Sequence, residues 1–236
     1  MKDPSTADRL LVAAARLLAE GGPDAVTARR LATEVGASTM AVYTHFGSME
    51  ELLVQLWRKG FARFGTALDA PTLTDDPVAD WMAQGWAYRR FALEDRHLYR
   101  VLFGGVVAVT FDDPADQAAA AATFTSLLTR LERAVDGGRL TIPDLPLAGQ
   151  MVWGMVHGRV SIELNGYDAP LGRDAVTVYG EALRRLALAF GDDAEAADRS
   201  LARSRRQLSI SARPSAQADS TRARRSAAGP RKRSAV

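Results

Sequence analysis

Apolar positions recur at helical spacing along almost the whole chain, and no stretch alternates with period two for long enough to propose a sheet. Leu10, Leu11, Ala14, Leu17 and Leu18 follow Ser5, a suitable N-cap, and the pattern stops at Gly21-Gly22-Pro23, a glycine C-cap followed by a breaker. Shorter helices are predicted from Thr27 to Gly36 and from Ser38 to about His45. Ser48-Met49-Glu50-Glu51 forms a capping box, after which Leu52, Leu53, Leu56, Trp57, Phe61 and Phe64 continue on one side. Pro71 to Pro77 separates this unit from longer helical patterns over 78–95, 97–104, 115–136, 145–165 and 173–190. The predicted fold is all-α, with one unit over 4–64 and a second over 78–192.

Charge changes the picture at the C-terminal end. Residues 199–236 hold eleven basic side chains and one acid, Asp219, a net of +10. The whole chain is only +2, so residues 1–198 carry −8. Apolar content also collapses after residue 198, and such a segment cannot bury enough surface to offset its ordering entropy. Residues 199–236 are therefore read as a disordered Arg-rich tail. It is either an accessory that binds nucleic acid through counterion release or a solvated extension. The mean charge thus says little about the partner of the folded part.

Several classes are excluded early. The chain has no cysteine, which removes disulfides, thiolate metal sites and a cysteine nucleophile. No apolar run approaches the roughly 18 residues of a membrane helix, and Met1-Lys2-Asp3-Pro4 opens no signal peptide. A cytoplasmic protein without membrane, metal or cofactor is the expectation. A helical enzyme is the weaker alternative: no phosphate-loop, dinucleotide or zinc motif is present, and His45, His97 and His157 are scattered.

The informative window is Thr27 to Phe46. A helix-turn-helix needs a small residue where its helices cross, a glycine in the turn and apolar residues facing the supporting helices. Ala32, Gly36, and Leu31, Val35, Val42 and Phe46 meet those requirements, and Ser38 caps the second helix. The second helix then presents Ser38, Thr39, Met40, Tyr43 and Thr44, whose hydroxyls and methyls suit base edges and phosphates. Thr27, Ala28 and Arg29 open the preceding helix, where free N–H groups favour a phosphate. Tyr43 and His45 can reach the DNA backbone or pack inward. Residues 1–50 hold five basic and six acidic side chains, so this reading head is nearly neutral.

Gly36-Ala37-Ser38, Val42-Tyr43-Thr44-His45-Phe46 and Ser48 through Leu53 together resemble the N-terminal domain of the TetR family of bacterial transcription regulators. The resemblance implies that Thr27, Ser38, Thr39, Met40, Tyr43, Thr44 and His45 line a double-stranded DNA operator. Met49 stands where many members carry a phosphate-contacting lysine.

The second unit is rich in aromatic residues. Trp86, Phe103, Phe124, Trp153 and His157 are candidates for lining a small-molecule pocket, with simple core packing as the alternative for each. Trp153 and His157 share a helix face, and Gly154 and Gly158 lie on an adjacent stripe, which close helix approach would explain. Trp153 through Gly158 resembles the Trp-x-x-x-His-Gly signature of TetR members with a WHG ligand-binding domain. His157 either bonds an effector or orients a neighbouring helix. The resemblance further implies a homodimer through the helices at 145–165 and 173–190, and an effector-responsive repressor, with an activator of the same fold as the alternative.

Overall fold

The computed structural model describes residues 5–104, 113–168 and 172–211. Among them are ten α-helices and no strand: α1 (Thr6–Gly21), α2 (Ala28–Val35), α3 (Thr39–Phe46), α4 (Met49–Asp69), α5 (Pro77–Glu94), α6 (Arg96–Phe103), α7 (Pro114–Asp136), α8 (Leu145–Leu164), α9 (Ala175–Ala189) and α10 (Ala194–Ser211). The first four sit close to the bounds predicted from the sequence. Local chemistry fixes these starts. Ser5, Thr27, Ser38 and Ser48 each accept a hydrogen bond from the backbone N–H three residues on. Asp76, Asp95, Asp144 and Asp174 do the same for α5, α6, α8 and α9, so an otherwise orphaned donor is satisfied at each end.

Helices α1 to α3 pack around Leu10, Leu17, Leu31, Val42 and Phe46. Gly36 closes the turn between α2 and α3 with φ of 66°, a conformation open to glycine and strained for other residues. Helix α4 leaves this unit and runs without interruption into the second one. It packs against α1 and α3 at one end and against α5 and α7 further along. The boundary expected at residue 64 therefore falls inside a helix that both units share.

The second unit wraps around α5, which is buried from Val78 to Tyr88 without a break. Four polar residues lie on it at intervals of four: Asp76, Asp80, Gln84 and Tyr88. Asp80 has no exposed surface. It accepts hydrogen bonds from the Thr74 N–H, the Thr74 hydroxyl and Arg133, each at 2.8 Å. Asp76 caps α5, accepts from Ser200 Oγ of α10 at 2.8 Å, and meets Arg139 at 3.3 Å. Arg139 also binds Asp192 in a two-pronged pair, both contacts at 2.9 Å.

The expectation of a disordered tail from residue 199 is corrected here. Residues 199–211 belong to α10, which lies along α5 and α9. Its buried stripe is small rather than large: Ala197, Ser200 and Ser204 let two backbones approach closely. Two of its arginines hold partners across the helix contact too. Arg203 pairs with Asp75 at 2.5 Å, and the Arg205 guanidinium lies 5.3 Å from the centre of the Trp86 ring. Gly180 leaves room for Arg205, since a Cβ there would collide with its guanidinium. Composition suggested a solvated segment because small residues and paired arginines stand in for a large apolar face. Residues 212–236 lie outside the described residues.

Asp76 joins α5, α10 and the loop after α7, whereas the Asp75 side chain is 84% exposed. Asp76→Ala should cost about 2–4 kcal/mol in urea denaturation, by loss of a cap and of buried bonds. Asp75→Ala should cost under about 1 kcal/mol. Equal losses would contradict this assignment.

Candidate functional site

Two surfaces carry chemistry. The first is the outer side of α2 and α3. Thr27, Arg29, Ser38, Thr39, Met40, Tyr43, Thr44 and His45 are all exposed, Met40 at 70% and Tyr43 at 47%. Ala28 is half-buried against the core. Packing inward is thus settled against for Tyr43 and His45. Ser38 Oγ accepts from Ala41 N–H at 3.1 Å, and Thr27 Oγ1 from Arg30 N–H at 3.3 Å. Each hydroxyl keeps its proton free to donate outward. Thr44 instead donates to the Met40 carbonyl at 2.9 Å, so it meets a ligand as an acceptor. Elsewhere in this unit Arg16 pairs with Glu20 and Glu34, and Lys59 with Asp8. Arg29 and Arg30 form no ion pair among the described residues, which leaves them as cations beside the exposed hydroxyls. Met49 is half-buried and packs inward, so the first turn of α4 adds no cation.

The second surface is a cavity of about 690 Å³ in the second unit, within the size range of small-molecule sites. Helices α4, α5, α6, α7 and α8 all contribute to it, through residues including Phe61, Trp81, Gln84, Phe103, Phe124 and Trp153. No described residue lining it is charged. Phe103, Phe124 and Trp153 therefore fall where the sequence placed them. Trp86 and His157 do not, and both expectations are corrected. Trp86 faces the other way: it packs on Tyr179 and donates from Nε1 to Ser204 Oγ at 3.2 Å.

His157 stands behind the cavity wall. Its Nδ1 lies 2.9 Å from the Tyr88 hydroxyl and 2.8 Å from that of Tyr99, and the two hydroxyls are 3.1 Å apart. Burial pushes both phenols above their usual value, so they remain donors, and it pushes His157 below the usual imidazole value. A neutral ring protonated on Nε2 accepts at Nδ1 from one hydroxyl, which accepts from the other; the opposite tautomer reverses the first bond. This cluster ties α5, α6 and α8 together. Of the two roles open to His157, orienting neighbouring helices is the one these bonds describe.

The glycine stripe on α8 also differs from expectation. A Cβ at Gly154 or Gly158 would meet nothing within 4 Å. No helix of the described residues approaches there. Gln84 is not among the candidates the sequence offers. Its signal was a polar residue one turn from Asp80 and Tyr88 in an otherwise apolar helix.

Comparisons with known proteins agree with this division. The family "Bacterial regulatory proteins, tetR family" matches residues 10–56, and "Tetracyclin repressor-like, C-terminal domain" matches residues 81–186. No curated protein matches the chain. A Rhodococcus sp. RHA1 protein of unknown function shares 24% identity at a TM-score of 0.69, over 80% of this chain and 97% of that one. The TetR family transcriptional regulator PfmR of Thermus thermophilus shares 25% identity at a TM-score of 0.58, over 80% and 98%. RolR in complex with resorcinol shares 24% identity at a TM-score of 0.54, over 84% and 93%.

The His157 cluster has a pH signature. Its folded pKa lies below its unfolded one, so its contribution is complete above about pH 6.5 and declines as the pH falls below that. In urea denaturation the advantage of the wild type over His157→Gln should shrink between about pH 7.5 and pH 5.5. An advantage independent of pH would contradict a neutral buried ring.

Proposed function

The chain belongs to the TetR family of bacterial transcription regulators, and on that premise we propose that it is a repressor that binds a near-palindromic operator as a homodimer and is released by a small-molecule effector. The observation that carries this reading is the path of α4. Its Ser48 cap follows α3 directly, separated only by Gly47, and Phe61, Phe64 and Leu68 near its other end line the cavity. Occupying the cavity therefore acts on the helix that positions α3. The free-energy difference required between the two states is only about 1–3 kcal/mol.

Dimerisation is supported by the outer face of α8. Leu147, Met151, Gly154 and Gly158 share one side at spacings of four, three and four, and Leu147 and Met151 are 54% and 50% exposed. An exposed apolar pair followed by two glycines whose Cβ positions are empty suits a second copy of the same helix. Such a dimer places two α3 helices in successive major grooves, about 34–36 Å apart. A neutral reading head gains little from counterion release, which makes pairing of two heads the main source of affinity. A regulator of this kind acts in the cytoplasm, where DNA is accessible, and no described helix is long and apolar enough to cross a membrane.

Duplexes selected by the protein from a random pool should share an inverted repeat. Tyr43→Ala should lower affinity for them at least about tenfold while the dimer persists. Undiminished binding by that variant would contradict the DNA-contact assignment. A Leu147→Arg, Met151→Arg double variant should halve the mass measured by light scattering. An unchanged mass would remove α8 from the interface.

A further inference from the structure

We propose that Gln84 reads the ligand of the cavity, and that this ligand is an uncharged aromatic compound donating a hydrogen bond from a hydroxyl to Gln84 Oε1. The inference rests on the reading of the cavity as the effector site.

Gln84 lines the cavity and is 3% exposed, yet its Oε1 is buried without a hydrogen-bond partner. The orientation of the amide is set by its neighbours. Asp69 ends α4, and its carboxylate can only accept, so the Ser126 hydroxyl spends its proton there, at 2.6 Å. Ser126 Oγ is then left to accept, and Gln84 Nε2 donates to it at 2.8 Å. The oxygen of Gln84 is therefore the atom left unpaired, and a buried carbonyl in that state costs free energy until a donor arrives. One turn earlier, Trp81 also lines the cavity at 1% exposure, and its Nε1–H is buried with no acceptor. A hydroxyl both donates and accepts, so one functional group suits the pair.

The remaining lining fixes the rest of the ligand. Phe61, Phe64, Phe103, Phe124 and Trp153 offer ring faces and edges, and the volume holds two or three fused or linked rings. No described lining residue carries a charge, so a carboxylate or ammonium would be desolvated without a counter-ion. The chain of bonds from Gln84 through Ser126 to Asp69 then joins the ligand's hydroxyl to the last residue of α4.

Calorimetry on the full chain without DNA tests this with 4-hydroxybiphenyl, 4-methoxybiphenyl and biphenyl-4-carboxylate. The hydroxyl compound should bind at least about tenfold more tightly than either of the others. Gln84→Leu should abolish that preference. Ser126→Ala, which frees the amide to rotate, should weaken it while leaving the cavity intact, so the pair remains decisive if Gln84→Leu fails to fold. Equal binding of hydroxyl and methyl ether, tightest binding of the carboxylate, a preference that survives loss of the amide, or no binding of any probe would each overturn the proposal. Operator selection uses no ligand and this experiment uses no DNA, so either can fail without the other.

Discussion

Helix α5 is buried along most of its length, and every polar group on it has to find its partner inside the protein. That constraint organises the second unit. Asp76 is answered by α10 and Arg139, Asp80 by Thr74 and Arg133, and Tyr88 by Tyr99 and His157. Each answer recruits another element to the central helix and fixes its position more narrowly than apolar contact alone would. Gln84 is the member of the series that is only half answered, and it is the one that faces the cavity. A seam that rigidifies the scaffold thus leaves a single acceptor where a small molecule can complete it.

Helix α4 makes that local event matter at a distance. It is long enough to belong to both units, with its first turn beside α3 and its last turns in the cavity wall. An uninterrupted helix carries a displacement at one end to the other without a chain of flexible contacts. The reading head itself has little charge to hold DNA, so its affinity depends on two heads being correctly spaced. A protein built this way responds to small rearrangements because its DNA affinity rests on geometry more than on net charge.

The N-terminal unit was legible in the sequence because its determinants are local. Ser5, Thr27, Ser38 and Ser48 cap within three residues, and Gly36 answers a positive φ at its own position. In the second unit α5 to α9 are legible from periodicity. Its tertiary partners are not. Trp153 and His157 share a helix face in any α-helix, but nothing in their spacing says that Tyr88 and Tyr99 lie opposite. Trp86 is a pocket candidate by sequence because a large aromatic side chain does not declare which neighbour covers it. Helix α10 is hidden because its contact with α5 uses Ala197, Ser200 and Ser204, small side chains that give the segment no large apolar stripe.

The central claim is that the state of the cavity sets the affinity of the reading head. The most direct measurement is the operator affinity of a variant whose cavity is filled by its own side chain, Thr123→Trp, compared with the wild type. The account predicts a loss of about 5- to 150-fold with the dimer mass unchanged. Full operator affinity in the filled variant would contradict it.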